Sequence, residues 1–145
     1  MNLTLTIAPF GAKPPVTKPN PKFLAEVGEE GIREIVFVHY ELIKESNIRH
    51  LFPKDEAEFE MAKKHASDFF IQICGGTKHF EQNRGTPRMI ARHAPFRITE
   101  DARNTWLELY IPILEDLKAE GISEESLESF WNYLDIFSLW MINTK

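Results

Sequence analysis

Cysteine is almost absent from this 145-residue chain: Cys74 stands alone. One thiol cannot close an internal disulfide, and no Cys-x-x-Cys pair exists to hold zinc or an iron–sulfur cluster, which points to a reducing compartment. Long apolar runs are missing too. No stretch reaches the roughly 18 residues needed to span a bilayer, so no membrane partner is expected. Positive charge is in deficit, with 17 Lys and Arg against 22 Asp and Glu and a net charge of −5. That sign disfavours a surface built to hold nucleic acid. Met1 to Phe10 has neither a basic start nor a sustained apolar stretch, so it does not read as a secretory signal and a cytoplasmic location is expected.

Familiar catalytic spacings are lacking as well. None of His39, His50, His65, His79 and His93 has a glutamate three residues before it, and there is no His-Glu-x-x-His. This excludes the helix-borne ligands of di-iron bundles and zinc proteases. There is no Gly-x-Ser-x-Gly, and Gly75-Gly76 is not followed by the Gly-Lys-Ser/Thr of a phosphate loop. Cys74, at a helix end with apolar flanks, reads as packing rather than as a nucleophile.

What is present is helical periodicity in a chain of single-domain length. Residues 1 to 22 hold five of the nine prolines, with three lysines and no acid. They form an extended arm, read as a mobile tail in preference to a partner-binding segment. The domain proper is taken as residues 23–145. From about residue 29, Ile32, Ile35, Val36, His39 and Ile43 share one helix face, ending near the corner Leu51-Phe52-Pro53. Asp55 with Glu58 resembles a capping box opening a second helix, whose stripe is Phe59, Ala62, Ala66, Phe69, Phe70 and Ile73, stopped by Gly75-Gly76. Residues 77–98 lack long periodicity and predict a loop with one short helical turn around 88–93. Thr99 caps a third helix that Pro112 must interrupt around Glu108, and Ser123 starts the last. With no convincing alternating segment, the fold class is all-α.

The loop reverses the charge of the chain. Residues 78–97 carry Lys78, Arg84, Arg88, Arg92 and Arg97 against Glu81 alone. Two readings stand: a solvated basic loop, or a site for a small dianion beside Phe- and Trp-rich helix faces.

These same residues carry a family resemblance. Gly75-Gly76, Arg84-Gly85-x-Pro87-Arg88, Arg92-His93-Ala94-Pro95-Phe96-Arg97-Ile98 and Arg103-x-x-Trp106-Leu107 together resemble the central motif of the group II truncated haemoglobins, over about residues 27 to 143. The resemblance implies a globin-like two-over-two helical sandwich around haem b, with the long basic loop before the third long helix. It implies reversible binding of O2, NO and CO, with His93 as the proximal iron ligand. A neutral imidazole whose other N–H is held by an acceptor suits that role. Tyr40 and Trp106 match the distal positions, where a phenol and an indole N–H can donate to the ligand. Phe52 matches the aromatic at the corner; Ala62 and Ala66 match the small residues over the macrocycle. Phe69 and Phe96 would complete the apolar lining. Arg92, Arg84, Arg88 and His65 are implied as partners of the haem propionates.

The chain departs from the family at three positions: Thr77 stands where proline is usual, Phe80 where tyrosine is usual, and Ala66 where a larger apolar residue is common. The distal hydrogen-bond network is therefore open to revision. An enzyme version, an NO dioxygenase or peroxidase-like activity, would need a separate reductase. The competing class is a haem-free helical interaction module whose basic loop takes an acidic partner.

Overall fold

The computed structural model describes all of residues 1–145, and every regular element in it is helical. Helix α1 spans Pro21–Lys44, a 3-10 turn Arg49–Leu51 forms the corner, and α2 spans Glu56–Ile73. The basic loop contains α3 (His79–Arg84) and α4 (Met89–His93). After it come α5 (Glu100–Glu108), α6 (Ile111–Ala119) and α7 (Glu124–Met141). No helix is long and apolar enough to cross a membrane.

Local chemistry accounts for the boundaries. Asp55 accepts from Glu58 N at 3.0 Å, Thr99 from Ala102 N at 3.1 Å and Ser123 from Ser126 N at 3.3 Å, each satisfying an amide that the first turn leaves free. The helix stop after Ile73 uses Gly75 at φ +97°, a conformation closed to most side chains. Pro112 separates α5 from α6 at the expected place.

Two boundaries differ from expectation. Helical structure begins at Pro21, not near 29, because Asn20 caps it by accepting from Lys22 N at 2.9 Å. Proline is well suited to a first helical position, where its missing N–H costs nothing. Gly28, at φ 73° and ψ 168°, then breaks α1. The second difference is α3, a helix of six residues in the loop, held down by the buried Phe80.

Packing forms two principal pairings: α1 lies on α2, and α5 and α6 lie on α7, with α1 also meeting α7. Phe23 stacks on Phe130 at 4.5 Å, and Trp131, Tyr110, Leu107 and Leu114 are fully buried around them. Each large apolar side chain removed from water contributes roughly 1.5–3 kcal/mol against chain entropy.

The arm is docked along α7 instead of trailing free. Trp131 Nε1 donates to Thr4 O (2.9 Å) and Trp140 Nε1 to Pro14 O (2.8 Å). Thr6 donates from N and Oγ1 to the carboxylate of Asp135 at 2.9 and 2.6 Å. A proline-rich segment cannot coil, but stretched out it offers unpaired carbonyls, and buried indoles need acceptors. Met1, Leu3 and Leu5 point into the core while Asn2 and Thr4 face water. That two-residue alternation was a sequence signal for docking.

Candidate functional site

On the α1 side, Tyr40 is buried, with its ring edge-on to Phe52 at 5.4 Å and to Phe59 at 5.5 Å. The corner thus brings Phe52 against Tyr40. Burial pushes the Tyr40 phenol well above its ordinary value, so it is a donor throughout the physiological range. Its hydroxyl has no hydrogen-bond partner within the protein. Trp106, half-buried on α5, likewise keeps its indole N–H free, whereas the indoles of Trp131 and Trp140 are engaged by the arm.

Helix α2 contributes the small face. Ala62 and Ala66 are half-buried and pack on the core one turn apart, and Phe69 is buried against Phe80 at 5.8 Å. His65, between the two alanines along the chain, has a buried Nδ1 without a partner. Burial first, then the positive charges of Arg84, Lys64 and Arg92, hold its pKa below the usual histidine value. His65 and these two loop arginines therefore belong to one cationic neighbourhood.

The basic loop is self-supporting. Arg92 donates from Nε to Pro87 O at 2.6 Å and from Nη2 to Arg84 O at 3.1 Å and Thr86 O at 3.5 Å, so its planar fork gathers the carbonyls of the turn between α3 and α4. The guanidiniums of Arg92 and Arg84 lie over the Phe80 ring at 5.1 and 5.6 Å. Here the phenylalanine that replaces a tyrosine acts as an aromatic floor for two cations. Thr77 also gains a role that proline could not fill: its N–H and hydroxyl both donate to Glu29 Oε2, at 3.0 and 2.8 Å, tying the loop to α1. Arg88 opens α4 in a left-handed conformation at φ 43° and is exposed, as is Phe96. None of Lys78, Arg84, Arg88, Arg92 and Arg97 pairs with a carboxylate in this structure, although ion pairs are plentiful elsewhere.

His93 ends α4. Its Nδ1 lies 2.7 Å from Met89 O, one turn earlier; a carbonyl only accepts, so Nδ1 carries the proton and Nε2 is left with its lone pair. Burial holds the ring's pKa below the usual value and keeps it neutral, with the Met89 bond opposing in part. A neutral imidazole with a fixed tautomer and a bare Nε2 is the form that ligates a metal.

Two residues outside the expected set matter here. Arg103, fully inside the protein, bonds Asp135, Ser138 and Thr6 at once. His39 bonds Trp106 O through Nε2 at 2.8 Å and stacks on Tyr110 at 3.7 Å. In the sequence His39 shows only as a helix-face position, and Arg103 only as part of the Arg103-x-x-Trp106-Leu107 motif. Cys74 is buried and its thiol is pushed up to about 12, in keeping with packing.

Paired helices, a glycine-stopped second helix and a histidine closing the short α4 of the basic loop mark the fold as that of a truncated, two-over-two globin. The chain belongs to the bacterial-like globin family, whose model matches residues 24–143. Among curated proteins it is similar to the group 2 truncated hemoglobin YjbI of Bacillus subtilis, 28% identical over 118 residues, covering 81% of this chain and 85% of that one. Among solved structures it is similar to phosphate-bound Hell's gate globin IV, with a TM-score of 0.85 and 34% identity over 97% of this chain and 86% of the other. It is also similar to the hemoglobin of Chloroflexus aurantiacus, with a TM-score of 0.72 and 33% identity over 83% and 97% of the two chains. Family membership implies haem-based ligand binding.

Proposed function

We propose that this chain binds haem b and reversibly holds O2, and likewise CO and NO, with His93 as the protein ligand to iron. The observation that carries this reading is the His93 imidazole: neutral, with Nδ1 committed to Met89 O and Nε2 bare. The donor set fits the group in two further respects. Five unpaired cations in the basic loop, with His65 beside them, suit the two propionates, Arg84 and Arg92 being the pair already brought together over Phe80. Ala62, Ala66, Phe52 and Phe69 supply apolar contact for a flat ring, and Phe96 an exposed apolar edge.

Iron protoporphyrin IX supplies, when bound, the coordination position at which a diatomic ligand is held reversibly. The chain's part is to orient and retain. Tyr40 and Trp106 each keep a donor with no protein partner, and both support a distal role in which phenol and indole N–H steady a partly negative ligand atom. Cys74, buried and unpaired, supports a reducing, cytoplasmic setting.

Titration of the purified chain with hemin, followed in the Soret region, tests the reading. Stoichiometric uptake is expected. His93→Gly should lose the ferrous five-coordinate spectrum and regain it on addition of imidazole. A well-folded chain that refuses hemin would overturn the proposal and favour a haem-free interaction module.

A further inference from the structure

Helix α5 ends abruptly because Pro112 cannot lie one turn beyond an intact Glu108 carbonyl. The last amides rearrange: Leu109 N closes on Thr105 O at 3.1 Å, but Tyr110 N tightens onto Leu107 O at 3.0 Å. The amide that would ordinarily close the turn on Trp106 O is thereby diverted. Left bare inside the protein, that carbonyl would be free to tilt, and Trp106 with it.

His39 of α1 supplies the missing donor. It is fully buried, and its Nε2 sits 2.8 Å from Trp106 O. Since a carbonyl only accepts, Nε2 bears the proton and Nδ1 is bare, in agreement with the absence of any partner for Nδ1. The ring is also wedged between two aromatics, stacked on Tyr110 at 3.7 Å and edge-on to Trp106 at 5.2 Å, while Trp106 and Tyr110 meet at 5.3 Å. Three rings therefore touch pairwise and one hydrogen bond locks the triangle. From it we infer that His39 is a positioning residue, which by replacing the backbone bond lost at the α5–α6 break fixes the direction of the Trp106 indole N–H toward the ligand. This rests on the distal reading of Trp106 given above. His39 touches no ligand itself.

The test uses the full chain. His39→Phe keeps the stacked ring and removes the donor; His39→Asn carries an amide too short to reach; His39→Gln restores a donor at about the Nε2 position. Loss of the donor should speed O2 dissociation on the order of tenfold, the worth of a hydrogen bond of ordinary strength. His39→Gln should recover most of it, and His39→Phe should add nothing further in a Trp106→Phe background. Independently of haem, the indole N–H resonance of Trp106, assigned through Trp106→Phe, should exchange faster with solvent in His39→Phe and His39→Asn. An O2 effect of equal size with and without Trp106, or unchanged indole exchange in both loss variants, would overturn the inference. Failure of the chain to bind hemin would sink the proposed function while the exchange measurement still decided the role of His39.

Discussion

Arg103 of α5 and Asp135 of α7 meet at 2.5 Å with almost no exposure to solvent. The same guanidinium donates to Ser138 Oγ (2.8 Å), Asp135 O (2.6 Å) and Thr6 O (3.0 Å), so two helices and the N-terminal arm converge on one side chain. Arg103→Ala would leave Asp135 buried with only the donors of Thr6. Urea denaturation should show a loss of about 3–5 kcal/mol, the usual consequence of breaking a buried pair from one side. Arg103→Lys should recover little, since one ammonium cannot reach all four acceptors.

Tyr40→Phe isolates the phenol. Because the hydroxyl bonds nothing within the protein, stability should change by less than about 0.5 kcal/mol. The proposed donor to the ligand is worth roughly 1.5–3 kcal/mol, so the O2 dissociation rate measured by stopped flow should rise roughly tenfold to a hundredfold. An unchanged rate would remove Tyr40 from the distal role.

Burial depresses the His39 pKa to about 3, the Trp106 bond opposing in part, against an ordinary value of 6.5. The unfolded chain therefore binds a proton at this position that the folded chain refuses. Its effect on stability is nil above about pH 6.5 and grows as pH falls toward 3, at about 1.4 kcal/mol per pH unit. His39→Phe should accordingly show a shallower decline in folding free energy between pH 6 and 4, by about one proton's worth of slope. The same slope in both proteins would mean that His39 is protonated in the native state.

Arg92 gathers three backbone carbonyls, and lysine has no planar fork with which to do so. Arg92→Lys should loosen the turn before α4 and release haem roughly tenfold faster in a transfer assay to a scavenging apoglobin. Global stability should fall less than in Arg103→Ala, because the loop is more exposed.

Helix starts at Asp55, Thr99 and Ser123, the stop at Gly75 and the break before Pro112 were legible in the sequence because each is decided within a turn of chain. The motif from Arg92 to Trp106 likewise carried the resemblance to the family. What escaped depends on groups distant along the chain. Composition made the arm a loose tail, yet Thr4 and Pro14 find their donors in Trp131 and Trp140, more than 120 residues on. Phe80 read as a lost hydroxyl, and only the folded loop shows two guanidiniums lying on its face. The bond from His39 to Trp106 O has no sequence signature, since it answers a carbonyl orphaned by a proline on another helix.

Deep enclosure has one more consequence for the aromatic face that α1 forms with Tyr110. With Tyr40 and Tyr110 driven far above their ordinary ionisation and His39 far below, none of the three gains or loses a proton between about pH 5 and about pH 9. Any acid-linked change in gas affinity, the counterpart of a Bohr effect, must then originate outside this face. Of the imidazoles proposed around the haem, His65 is the one left to carry it, since His93 is committed to iron and to Met89 O.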